Sequence, residues 1–174
     1  MGIREPLREI GCGLPLALEV MGERWSFMIL RAAFNGLRHF EEFSRELGIA
    51  RNILSSRLAK LVENGVLART PCDHDRRKVE YVLTDKGLDL LPALLALRQW
   101  GEKYAPDMRS DLILVDCRDG RPVRDIAIRA EDGRDLGWHD LGWQTPDKVG
   151  QPVVREDDGV APPAARRVDA VQDG

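Results

Sequence analysis

No apolar run in this sequence approaches the roughly 18 residues that cross a bilayer, and the opening stretch MGIREPLREIGCG lacks the continuous apolar core of a signal peptide. A membrane partner is therefore not expected, and the expected location is cytoplasmic. Cysteine is sparse. Cys12, Cys72 and Cys117 are widely spaced, odd in number and belong to no CxxC or Cys/His zinc pattern, which argues against a disulfide framework. The cluster CDHD, residues 72–75, gathers Cys72, His74 and two Asp, but neighbouring residues on a tight loop seldom converge on one ion. No metal and no cofactor are expected. A Ser/His/Asp set, a carboxylate pair and a phosphate-binding loop are all missing, so an enzyme is not expected either.

Charge of one sign is also missing, since 26 Lys/Arg stand against 29 Asp/Glu for a net charge of -3. Its placement is uneven. Met1 to Ala105 carries 16 basic against 14 acidic residues, the remainder 10 against 15, and Arg51 to Lys86 carries 8 against 5. Such a modest basic segment becomes a nucleic-acid patch only if folding gathers it. With 43% hydrophobic residues among 174, the chain can bury one good core and carry a small appendage.

Periodicity supplies the elements. Pro15 suits a first helical position, and PLALEVMG reads as a helix ended by Gly22. ERWSFMILRAAFNG places Trp25, Met28, Ile29, Ala32 and Ala33 at helical spacing, which predicts a central core helix stopped at Asn35 and Gly36. HFEEFSREL and ARNILSSRLAKLVENG follow, separated by Gly48, Ile49 and Ala50. Phe40, Phe43 and Leu47 stripe the first; Leu54, Leu58, Leu61 and Val62 stripe the second. Two one-faced helices across so tight a Gly-containing turn fit a helix-turn-helix.

After Asn64 and Gly65, VLARTPC and VEYVLT alternate in the manner of strands, and DHDRRK between them is short and charged. This predicts a hairpin with an exposed basic tip formed by Arg76, Arg77 and Lys78. Thr84 should cap a further helix, DKGLDLLPALLALRQWGEKY, which Pro92 should bend. Its apolar arc, including Leu88, Leu91, Leu95 and Trp100, is wider than packing within one small domain requires. From Pro106 the RDGRP and EDGR turns divide three short apolar segments, suggesting a β-meander over 106–144. Trp138, His139 and Trp143 read as a small hydrophobic cluster within it. Residues 145–174, rich in Pro, Asp, Gly and Ala without periodicity, read as a disordered tail. The expected fold is mainly α with a small β-hairpin wing, a winged helix-turn-helix spanning 1–105, plus the small C-terminal meander.

With the leucines of NILSSRLAKL turned inward, Asn52, Ser56 and Lys60 lie nearly opposite, Ser55 and Arg57 flank them, and Arg51 sits in the first turn. A polar helix face is usually just solvated. Here the tight turn before it and the hairpin after it favour double-stranded DNA. Asn52 and Ser56 are short enough to reach base edges, while Arg51, Arg57, Lys60 and the basic triplet suit phosphates.

The residues CGLPLAL, GERW, NGLRHFEEF, NILSSRLAKLVENGVL, VEYVLTDKG and LLPALLALRQWGEKY resemble the HxlR family of bacterial transcriptional regulators, winged helix proteins akin to the MarR type, over about Cys12 to Tyr104. The resemblance implies a homodimeric DNA-binding regulator of transcription, with the second helix of the turn motif in the major groove of a palindromic operator and the hairpin as wing. The first helix and the Leu-rich terminal helix would form the dimer interface. In some members the cysteine at the place of Cys12 senses oxidants or electrophiles; Arg8 and the following helix start would favour its thiolate, whereas a buried inert thiol is the alternative. Two departures stand out: Ala50 replaces a better N-cap residue common in relatives, and the chain continues well past Tyr104. Another use of the same fold, a protein-protein interaction module without specific DNA binding, remains open, as does a small-molecule effector.

Overall fold

The computed structural model describes residues 13–72, 75–105, 107, 112–144 and 146–152, without the side chains of 75–77. They fall into two compact units, one ending at Ala127 and the other beginning at Ile128. The first contains α1 (Gly13–Met21), α2 (Arg24–Phe34), α3 (Phe40–Leu47), α4 (Arg51–Glu63), β1 (Leu67–Cys72), β2 (Asp75–Leu83), α5 (Asp85–Leu88) and α6 (Leu91–Tyr104). Helix, helix, helix-turn-helix and antiparallel hairpin is the winged helix order that the periodicity predicts.

The core forms where one face each of α2, α3 and α4 meets the base of the hairpin. Ile29, Leu30, Phe43, Leu54, Leu58 and Leu61 are all 0% exposed, and Ile49, Val66 and Leu67 close the cluster. Ser26 is the buried polar residue in α2, and its hydroxyl donates to the Val20 carbonyl oxygen at 3.3 Å, so its burial leaves no donor stranded. Phe43 meets Tyr81 of β2 edge-on, with ring centroids 6.5 Å apart. The apolar stripe of α4 is therefore what seats this helix on the body of the domain.

Two glycines are required by geometry. Gly48 ends α3 at φ 58°, a left-handed conformation that costs a residue with a Cβ but not glycine, and it sets the short turn into α4. Gly87 approaches the chain so closely that a Cβ would lie 2.3 Å from the Val66 carbonyl oxygen. Around it, Thr84 Oγ1 accepts from the Gly87 amide at 3.1 Å and donates to the Gly65 carbonyl oxygen at 2.5 Å. Lys86 Nζ donates to the Asn64 carbonyl oxygen at 2.9 Å, so the sequence TDKG ties the start of α5 to the end of α4.

Two expectations are corrected, and one contact is new. The basic triplet does not form the hairpin tip, because β2 begins at Asp75, opposite Cys72. The pairing then jumps to Pro71 opposite Val79, which leaves Arg76, Arg77 and Lys78 as a bulge on β2. Proline has no amide to donate, and the ladder slips beside it. The long helix is not bent at Pro92 but divided: α5 stops at Leu88, and Pro92 stands in the first turn of α6, where its missing N–H has no intrahelical partner to lose. Finally, β2 has a neighbour beyond β1. The Tyr81 amide donates to the Arg38 carbonyl oxygen at 2.8 Å, and His39 forms a bridge with Glu80, so the link between α2 and α3 flanks the wing.

Two short antiparallel pairings occupy the region after α6. In the first unit, residues 112–126 turn back on themselves with Val115 bridged to Pro122. The second unit contains β3 (Ile128–Arg129) paired with β4 (Asp135–Leu136), then single turns of 3-10 helix at Trp138–Asp140 and Pro146–Lys148. Trp138 and Trp143 are both largely exposed there. Residues 153–174 of the expected tail lie outside the described residues. Among the described residues, no helix is long and apolar enough to cross a membrane.

Candidate nucleic-acid interface

The turn motif is locked from its first helix. Glu42, in the first turn of α3, accepts the backbone N–H groups of Arg38 and His39 through Oε2, each at 2.9 Å. Satisfying amides that a helix start leaves unpaired stabilises the start. The Arg38 amide first, and then that of His39, hold the Glu42 carboxyl below the usual glutamate range. Helix α4 has no such help, since Ala50 supplies no side-chain cap.

From that base α4 divides as the sequence predicts. Leu54, Leu58 and Leu61 are buried, whereas Asn52, Ser55 and Ser56 are exposed. Asn52 carries an amide donor and a carbonyl acceptor near the helix start, the pair of groups that matches the major-groove edge of adenine.

The expected phosphate binders divide into engaged and unengaged groups. Arg51 makes a bidentate pair with Glu41, at 2.6 and 2.8 Å, and its guanidinium lies 4.8 Å from the Phe40 ring centroid. Glu41 is held below its ordinary range by that same Arg51 contact. Arg57 is half-buried and paired with Glu23, the residue that precedes α2; its Nε is buried without a hydrogen-bond partner. Both arginines thus bind α4 to the neighbouring helices. Lys60 is half-buried and makes no ion pair among the described residues, and Lys78 is exposed. The side chains of Arg76 and Arg77 lie outside the described ones.

Glu23, Arg38, His39 and Glu41 escape a reading by periodicity. Arg38 approaches Glu80 at 3.7 Å and His39 approaches it at 3.8 Å, so Glu80 faces both residues of the link that flanks the wing. The only advance signal is their position directly before or within the first turns of α2 and α3.

Leu88, Leu91 and Trp100, named for a dimer interface, are exposed, and Leu95 is half-buried. Helix α6 has no buried residue at all. Cys12 lies outside the described residues. Cys72 is a half-buried free thiol and Cys117 an exposed one.

A one-faced helix following a tight turn, with a β-hairpin beside it and short polar groups outward, defines a winged helix-turn-helix protein. Residues 20–109 match the HxlR-like helix-turn-helix model, and the chain belongs to this family of transcriptional regulators. It is 51% identical over 90 residues to an uncharacterised HTH-type transcriptional regulator of Mycobacterium tuberculosis, covering 52% of this chain and 57% of that protein. The chain thus spans little more than half the length of that relative. It is 34% identical over 95 residues to YdeP, an HTH-type transcriptional regulator of Bacillus subtilis, covering 54% of this chain and 74% of YdeP.

Among solved structures, PA1607, described as a candidate transcription factor, superposes with a TM-score of 0.71 at 44% identity, over 79% of this chain and 96% of its own. A second candidate transcription factor, PA1374 from Pseudomonas aeruginosa, gives 0.56 at 38% identity, over 80% and 96%. A match over 79% of the chain exceeds what residues up to Ala105 supply, so likeness to PA1607 continues past the winged helix.

Proposed function

We propose that this protein is a sequence-specific DNA-binding transcriptional regulator that reads a palindromic operator as a homodimer. The observation that carries the reading is the division of α4, leucines wholly inward and Asn52, Ser55 and Ser56 outward, in the second helix of a tight turn motif. In this reading α4 lies in the major groove. Asn52 and Ser56 meet base edges, and Lys60 and the bulge at Arg76, Arg77 and Lys78 meet phosphates. Arg51 and Arg57 act chiefly by holding α4 in place. Two copies associated through α1, α5 and α6, by way of Leu88, Leu91, Leu95 and Trp100, would set two reading helices about 34 Å apart, one turn of the duplex.

Selection of binding sites from random duplexes by the purified full chain tests this directly. An inverted repeat with half-sites one helical turn apart is expected; failure to enrich any motif overturns the reading. Affinity for the selected site should fall steeply with salt, as phosphate contacts release counterions.

The pairing of Arg51 and Arg57 with carboxylates favours a second reading, a protein-interaction module, because it removes cations from the face that DNA would need. Charge reversal at Lys60 and Lys78 discriminates between them: a DNA binder loses retention, whereas an interaction module does not. Redox or electrophile control through Cys12 extends the first reading, and alkylation of Cys12 that leaves operator affinity unchanged removes it.

A further inference from the structure

One ring joins the link between α2 and α3 to the wing. His39 Nδ1 lies 3.3 Å from the Val79 carbonyl oxygen, and its Nε2 lies 3.8 Å from Glu80 Oε1. A carbonyl and an ionised carboxylate only accept hydrogen bonds. Neutral imidazole has a single N–H, so in either tautomer one ring nitrogen turns a lone pair toward an oxygen. The imidazolium, with an N–H on each nitrogen, suits both oxygens at once. Val79 stands opposite Pro71 in the ladder, and proline has no N–H to give the Val79 carbonyl.

Two carboxylates and one guanidinium surround the ring. Glu80 comes from β2 with a side chain only 21% exposed, and Glu42 comes from α3, where its carboxylate accepts the His39 amide at 2.9 Å. Arg38 is the opposing charge, but it approaches Glu80 at 3.7 Å and is 59% exposed, where solvent screens it. A cation at His39 therefore meets more attraction than repulsion. Its place in the chain gives this contact a consequence. His39 directly precedes α3, the first helix of the turn motif, and the two residues that its ring meets directly follow the bulge of Arg76, Arg77 and Lys78. The Tyr81 amide, donating to the Arg38 carbonyl oxygen at 2.8 Å, closes the same junction. We infer that His39 is a positioning residue that, on gaining a proton, holds the cationic bulge of the wing in fixed register with the turn motif, so that DNA binding tightens as pH falls. A contact that only the protonated form completes is strengthened by proton uptake, and a duplex that needs the wing in place is coupled to that uptake.

This inference rests on the DNA-binding reading of the proposed function. Its test measures the affinity of the full chain for a mixed-sequence duplex at low salt, at about pH 8 and about pH 6, the span over which histidine changes charge. Hydrogen exchange of the Tyr81 amide, corrected for the intrinsic effect of pH, is followed on the protein alone. The natural chain should bind about two- to fivefold more tightly at the lower pH, the range of a part-exposed ion pair, and Tyr81 should be better protected there. His39→Gln should lose both responses, while His39→Arg, which keeps a cation beside Glu80, should hold the tighter affinity at both pH values. His74 and His139 are common to all three chains, so their titration cancels in the comparison. Duplex binding with the same pH dependence in the natural chain and in His39→Gln overturns the inference and spares the DNA-binding reading. Absence of duplex binding at either pH, with Tyr81 protection still responding to pH through His39, overturns that reading and the inference with it. If His39→Gln unfolds the chain, Glu80→Gln takes its place under the same criteria.

Discussion

Two leucine-rich helices of similar length meet opposite fates in this protein. In α4 (Arg51–Glu63), Leu54, Leu58 and Leu61 are completely buried; in α6 (Leu91–Tyr104), not one residue is. The difference lies in spacing. The leucines of α4 recur at helical intervals and make one narrow stripe, which the faces of α2 and α3 and the hairpin base can cover. Those of α6, at positions 91, 94, 95 and 97, spread over a wider arc that Trp100 extends, and the protomer leaves none of them fully covered. Equal hydrophobicity therefore does different things: in α4 it stabilises the protomer and positions a polar face, whereas in α6 it is left available for association.

The sharpest way to break the comparison is to make the same truncation in both helices. Leu58→Ala should destabilise the protomer by about 2–5 kcal/mol through loss of burial and creation of a cavity. Leu97→Ala, at a site 52% exposed, should change protomer stability little. Chemical denaturation at low protein concentration measures both, and equal losses would mean that α6 is packed in the protomer after all.

On the outer face of α4, Asn52→Ala should cost about 1–3 kcal/mol of discrimination at one base position of the selected operator, with little change in melting temperature. Competition binding against single-base operator variants reads it. A uniform loss across all sequences would instead make Asn52 a backbone contact.

Glu42 supports the helix against which α4 leans, and Glu42→Ala should cost about 1 kcal/mol near neutral pH, as for loss of a helix-start cap. The pH dependence has a definite sign. A carboxyl held below its ordinary range in the fold stabilises fully above that range, and the stability is lost as pH falls through the lowered value. Melting temperature against pH should thus fall less steeply on the acid side in the variant than in the natural chain; parallel curves would remove Glu42 from this role.

The smallest effect separates the cations of α4. Lys60→Ala should lower the salt dependence of operator binding by about one released ion. Arg57→Ala should leave that slope unchanged and lower stability, because its half-buried guanidinium is paired with Glu23, the residue before α2. A slope change at Arg57 in place of Lys60 would reverse the assignment.

Much of the fold is legible in the order of residues. Helical periodicity places α2, α3 and α4, and the three residues between α3 and α4 fix the turn motif. Thr84 is readable as a cap because its hydroxyl acts on an amide three residues away. The bulge at Arg76, Arg77 and Lys78 is not, since it depends on which residue of β1 lies opposite and on the amide that Pro71 lacks. The division at Pro92 could have been inferred, as proline is as acceptable in a first turn as it is disruptive further along.

By itself, then, the sequence determined which side of α4 faces inward, because burial follows from a period of 3.6 residues that the leucines already carry. It also determined that α6 holds more apolar surface than one domain can cover. Only the tertiary structure decided which cations remain available. The partners of Arg51 and Arg57 come from α3 and from the residue before α2, and an ion pair depends on distance in space, which falls below 4 Å only once those elements are packed.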